Sequence, residues 1–119
     1  MKIKAYRWTR LTNALNLIKG TKPKHTTYWI TDKEESRPYA EVEKWNDKNE
    51  EGAIVEAILD FSHTQVYHIA PSEWIGFNTR QQKALLGRAW IFETETFKVI
   101  ILPKERQDAI TEPKLVEIV

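Results

Sequence analysis

Ala53-Ile54-Val55-Glu56-Ala57-Ile58-Leu59-Asp60-Phe61 carries a period of two. Side chains of a strand point alternately to opposite faces, so Ala53, Val55, Ala57, Leu59 and Phe61 share one apolar face. Ile54, Glu56, Ile58 and Asp60 share the other. The stretch is therefore a strand whose first face must be covered. Working outward, Lys2 to Trp8 alternates in the same way, with Ile3, Ala5 and Arg7 on one face and Lys4, Tyr6 and Trp8 on the other. Thr26-Thr27-Tyr28-Trp29-Ile30 is rich in β-branched and aromatic residues and reads as a strand. Val66 to Ile69 reads as a short one. Ala89 to Leu102 reads as a hairpin about Glu93-Thr94-Glu95-Thr96, pairing Trp90-Ile91-Phe92 with Phe97 to Leu102. Leu115 to Val119 is expected at an edge.

Helix signals lie between these strands. Leu11, Ala14, Leu15 and Ile18 form an apolar stripe at helical spacing. Thr9 or Thr12 is the expected cap, and Gly20 is the expected stop, since glycine enters the left-handed region cheaply. Ser36, with Asp32 as the alternative, is expected to cap a second helix and so to place Pro38 in its first turn. Tyr39, Val42 and Trp45 would face inward from it, and Asn46 to Gly52 would be a polar loop. Pro71 to Trp74 reads as a loop entering a helical turn, and Thr79 caps a third helix from Arg80 to Leu86, stopped by Gly87. Strands and helices do not alternate regularly, and hairpin spacings dominate the second half. The expected class is α+β: one domain, a mainly antiparallel sheet and about three helices.

The chain has 119 residues, enough for one domain with a core of its own. It has no cysteine, which excludes disulfides, thiolate metal sites and a thiol nucleophile. No apolar run approaches the roughly 20 residues that span a bilayer, and Met1 to Tyr6 has no apolar signal core. A cytoplasmic, non-membrane protein is expected. The net charge is +1, but its distribution is uneven. Residues 1 to 31 hold Lys2, Lys4, Arg7, Arg10, Lys19, Lys22 and Lys24 and no acid, whereas the next twenty are acidic on balance. Such asymmetry marks either an anion-binding face or ordinary solvated surfaces.

Few residues carry chemistry on their own. His25, His63 and His68 do not have metal-ligand spacing, and no metal site is expected. There is no nucleophile elbow and no glycine-rich phosphate loop, so any nucleotide would be held by side chains and helix ends. Arg7, on an otherwise apolar face, either clamps a phosphate or carboxylate through its planar fork or forms an ion pair with Glu56 or Asp60. Tyr28 and Tyr39 either stack on a ligand ring or fill the core. Glu41 and Glu43 either stabilise a sugar cation as a glycosidic bond breaks or line a solvated helix face. Five tryptophans, at positions 8, 29, 45, 74 and 90, are either core or stacking platforms.

Tyr6-Arg7-Trp8-Thr9, followed by Asn13-Ala14-Leu15-Asn16-Leu17-Ile18-Lys19-Gly20, resembles the front half of the DNA-targeting branch of the ADP-ribosyltransferase superfamily. Tyr28, Tyr39-Ala40-Glu41-Val42-Glu43, Ser72-Glu73-Trp74, Leu86-Gly87-Arg88-Ala89-Trp90 and Val99 to Lys104 resemble its NAD-consuming RES-domain branch. The resemblance spans residues 3 to 105. It implies an ADP-ribosyltransferase-like fold and NAD as substrate. It also implies Arg7, Thr9, Tyr28 and Tyr39 as cofactor-binding residues, Glu41 and Glu43 as catalytic ones, and a protein or nucleic-acid acceptor. Arg7 would point into a crevice between the first strand and the helix of Tyr39. Lys104 stands where the RES branch has serine, and the Gly-Arg-Trp-Asn element is missing. The alternative is a non-catalytic binding or inhibitor protein of the kind that phages, mobile elements and toxin-antitoxin systems encode, with Trp and Tyr as interface anchors.

Overall fold

The computed structural model describes residues 1–46, 50–62, 66–69, 89–93 and 96–119, with backbone only at 42–46, 69, 90, 92 and 93. The expectations for Pro71 to Trp74, for the helix from Arg80 to Leu86 with its cap Thr79 and stop Gly87, and for His63 lie outside the described residues. In chain order the elements are β1 (Lys2–Arg10), α1 (Leu11–Ile18), β2 (Thr27–Ile30), α2 (Lys33–Asn46), β3 (Gly52–Asp60), β4 (Val66–Ile69), β5 (Ala89–Glu93), β6 (Lys98–Leu102), a 3-10 helix (Lys104–Ala109) and β7 (Ile110–Ile118). The strands form one seven-stranded sheet in the order β4-β5-β6-β2-β1-β3-β7. Among the described residues all pairings are antiparallel except β4 with β5. The class is α+β.

The period-two reading holds where it is clearest. β3 lies between β1 and β7, and Ala5 faces Ala57 while Arg7 faces Val55. Its face of Ala53, Val55, Ala57 and Leu59 joins Ala5, Trp29, Ile91, Ile100 and Leu102 in the main core. Each large side chain there contributes about 1.5–3 kcal/mol relative to exposure. α1 covers this face with Ala14 and Leu17. A smaller apolar layer on the other face includes Ile30, Ile54, Ala40 and Ile101, and there α2 packs across β1 and β3. The hairpin also forms as expected, with Trp90 opposite Ile101 and Phe92 opposite Val99.

The helix ends depart from expectation at both N-termini. Neither Thr9 nor Thr12 caps α1. Thr9 belongs to β1, and Arg10 occupies the cap position without a side-chain bond. The orphan N–H of Thr12 is instead taken by the Glu50 carboxylate at 2.8 Å, which binding holds below its ordinary pKa. The stripe of α1 also rotates: Leu17 is buried, whereas Leu15 and Ile18 are 41% and 39% exposed. α2 starts before Ser36. Asp32 caps it, accepting from the Glu35 N–H at 3.1 Å, and Pro38 sits inside the helix. Ser36 is buried, with its hydroxyl donating to the Lys33 carbonyl at 2.6 Å. At the other end of α1, Gly20 has φ +99°. Its N–H meets the Leu17 carbonyl at 3.0 Å and the Thr21 N–H meets that of Asn16 at 3.0 Å, a Schellman ending.

Two polar devices tie the layers together. Inside the main core, the Trp29 indole donates to the Thr27 hydroxyl at 3.0 Å, and that hydroxyl donates to Gln107 Oε1 at 3.1 Å. The Gln107 amide in turn donates to the Leu102 and Pro103 carbonyls, each at 3.1 Å. On the α2 side, Arg37 bonds to both Glu34 and Glu117, and Lys33 lies 3.5 Å from Glu117. This joins α2 to β7. β7 is itself irregular. Its pairing with β3 shifts register twice, and Glu112 has φ 51° just before Pro113.

Candidate anion-binding site

The site begins with parity on β1. Ala5, Arg7 and Thr9 fall on the face that α1 covers. Ala5 is fully buried in the core, and Arg7 and Thr9 continue the row toward the point where β1 turns into α1. α1 then runs back over this face, and its Schellman ending sends the chain into the segment 21–25. A concave pocket of about 140 Å³ lies between these three pieces. It is lined by Arg7 and Thr9 from β1, Asn13, Asn16 and Leu17 from α1, and Thr21, Lys22, Pro23 and His25 beyond it.

Among the described residues the lining is cation, amide, hydroxyl and imidazole on an apolar floor, with no carboxylate. Every described lining residue comes from the first 31 positions, which hold no acid in the sequence. Lys22 is anchored, because its ammonium donates to the Ile110 carbonyl at the start of β7. That bond holds the Lys22 ammonium at a residue that is not among the pocket's described lining. The guanidinium of Arg7 presents a planar fork suited to phosphate or carboxylate oxygens. The arrangement can bind an anion and hydrogen-bond the groups attached to it.

Of the residues expected to bind a cofactor, Arg7 and Thr9 share this pocket. Tyr28 and Tyr39 do not. The pair Tyr6–Ile30 sets the register of β1 and β2, so Tyr28 falls on the same face as Tyr6 and Trp8, opposite Arg7. Tyr39 lies on α2 and stacks on Trp8 with ring centroids 4.3 Å apart. The expected crevice between β1 and the helix of Tyr39 is therefore replaced by one between β1, α1 and the segment that follows. Tyr28 is half-buried, and burial pushes its hydroxyl pKa up. Glu41 is exposed on α2, and the side chain of Glu43 lies outside the described residues. Glu56 shares its face with Tyr6 and meets Lys4 at 3.9 Å and Lys114 at 3.3 Å. Asp60 accepts from the Ser62 N–H at 2.9 Å.

The reading from sequence missed Asn13, Asn16, Lys22 and His25 as parts of one site. The usable signal is the acid-free block itself, from which all the described lining residues come. Among the described residues no group of three or more His, Asp or Glu side chains is placed to hold a metal ion. No described helix is long and apolar enough to cross a membrane. No family model, curated protein or solved structure matches the chain.

Proposed function

We propose that this chain binds NAD or an ADP-ribosyl group, with the ligand's phosphate-bearing part at Arg7. The observation that carries this reading is the pocket that joins Arg7 and Thr9 to Lys22 and His25, with no carboxylate among its described lining residues. The resemblance of Tyr6 to Gly20 to an ADP-ribosyltransferase front half supplies the nucleotide class. Binding is better supported than cleavage. Splitting the glycosidic bond calls for an anionic group beside the developing sugar cation, and Glu41 projects from the helix on the opposite face of the sheet. Calorimetry with millimolar NAD and with ADP-ribose, run beside an assay for released nicotinamide, tests both halves. Heat without nicotinamide is the expected result. No heat with either ligand ends the reading.

A second reading, a protein-interaction module, has its own support. Tyr39 is 49% exposed although it stacks on Trp8, and Leu15 and Ile18 show apolar surface on α1. Exposed aromatics are favoured interface anchors. Under this reading NAD gives no heat, and Tyr39→Ala changes no small-molecule binding.

A further inference from the structure

We infer that the pocket reads the hydroxyls of a sugar ring, and that Thr9, Asn13 and Asn16 are the residues that read them. Neither the charge of Arg7 nor that of Lys22 is required. Thr9 is only 6% exposed, yet it lines the pocket, and its hydroxyl bonds to no other described residue. A buried hydroxyl without a partner is costly, so the place where Thr9 meets the pocket is where a partner is wanted. Asn13 and Asn16 stand three residues apart on α1 and therefore on one side of the helix. Both line the same pocket beside Thr21, and their amides likewise bond to no other described residue.

The chemistry of these three side chains favours hydroxyls over anionic oxygens. An ionised carboxylate or phosphate oxygen only accepts, so it satisfies amide N–H groups and leaves the amide oxygens facing nothing. A sugar hydroxyl both donates and accepts, as do a threonine hydroxyl and an asparagine amide. Three such side chains around one space suit a ring that carries adjacent hydroxyls. Size agrees. The pocket holds about 140 Å³, and benzene occupies a cavity of about 150 Å³. One ring therefore fits, and whatever is attached to it lies outside. Leu17 and Pro23 supply apolar lining against which the C–H groups of such a ring pack. A free sugar and the ribose of a nucleotide share this chemistry, so the site goes beyond the nucleotide reading above and is compatible with it.

The test is a set of calorimetric titrations of the intact chain with AMP, with its 2′,3′-dideoxy counterpart and with free D-ribose. A neutral hydrogen bond is worth about a factor of five in affinity, so AMP should bind about fivefold tighter or better than the dideoxy compound. That preference with no heat from ribose assigns the site to the sugar of a nucleotide. Heat from ribose without heat from AMP supports the sugar site and assigns it to a free sugar. Equal affinities for the two nucleotides overturn the inference and leave the nucleotide reading standing. If nothing binds, the inference fails, and the titrations with NAD and ADP-ribose decide the nucleotide reading separately. Thr9→Val, and Asn13→Ala combined with Asn16→Ala, each checked for fold by circular dichroism, then locate the effect. Affinity for AMP should fall while affinity for the dideoxy compound stays, a split that a merely structural change would not produce. Asn13 and Asn16 are exposed, so their replacement tests the site even where Thr9→Val fails to fold. Folded variants that all keep the full preference would remove these residues from the site.

Discussion

The rings of Trp8 and Tyr39 stack with centroids 4.3 Å apart and planes 27° from parallel. Trp8 neighbours Arg7 in β1, so its side chain leaves the opposite face of the sheet. One strand therefore serves two layers: residue 7 looks into the pocket beneath α1, and residue 8 holds α2 on the other side.

Aromatic pairs of this kind contribute about 0.5–1.5 kcal/mol beyond the area they bury. Trp8→Ala and Tyr39→Ala, combined in a double-mutant cycle by urea unfolding, should give a coupling energy of that size. Tyr39→Ala should leave ligand titration unchanged. Lost binding in a folded Tyr39→Ala variant would move the site to the α2 face.

Gly52→Ala and Gly20→Ala should destabilise for different reasons. A Cβ on Gly52 would stand 2.3 Å from the Ala40 carbonyl oxygen, which is backbone and cannot swing away. The helix must shift off β3, at a cost of about 1–3 kcal/mol or more. A Cβ on Gly20 meets nothing within 4 Å, but φ is +99°, and a left-handed backbone costs an L-residue about 1–2 kcal/mol. Thermal melts should show losses in both variants. A neutral Gly52→Ala would mean that Ala40 does not pack there.

Thr27→Val keeps the shape of the side chain and removes its hydroxyl. The Trp29 indole N–H then loses its acceptor and Gln107 Oε1 its donor, inside the core. A buried polar group left unsatisfied costs about 1–3 kcal/mol. Chemical denaturation should report a loss in that range, despite the gain of a methyl group.

Acid should weaken the attachment of α2 to β7. The Arg37 guanidinium holds the carboxyls of Glu117 and Glu34 below their ordinary range. A carboxylate whose pKa is lower when folded adds stability above its unfolded pKa and loses it as pH falls through the folded value. The stability difference between the wild-type chain and Arg37→Gln should therefore be full at neutral pH and shrink below about pH 4.3, the usual glutamate value. A difference that stays constant down to strongly acid pH would show that Arg37 acts through packing alone.

Much of the sheet could be read from the sequence because its signals are local. The alternation of Ala53 to Phe61 needs no partner to be seen, and Gly20 is the cheapest residue for its turn. What escaped depends on partners distant in sequence. The acceptor for the Thr12 N–H at the start of α1 is Glu50, 38 residues away in sequence. Leu17 and Leu15 both fit a helical stripe, and only the strands beneath decide which is covered. Alternation within β1 is local and places Ile3, Ala5 and Arg7 on one face, whereas Thr9 joins that face only because the strand runs past Trp8 to Arg10. Parity between β1 and β2 depends on the Tyr6–Ile30 register, which no local pattern states, so the face that Tyr28 takes relative to Arg7 is not legible in the sequence. The lining from Asn13 to His25 comes together only because α1 reverses over β1.

The break in β7 bears on growth at the border of the sheet. A neighbouring chain meets an open strand as a ladder of evenly spaced donors and acceptors. β7 stands last in the strand order, and its ladder is uneven. Glu112 turns to positive φ, Pro113 has no N–H to offer, and two extra residues throw the spacing out of step with β3. A strand of a second copy laid along it would fit at one end and be out of phase by the other. Stacking copy upon copy in the hydrogen-bonding direction is thereby obstructed by the backbone itself, whatever the side chains on that border happen to be.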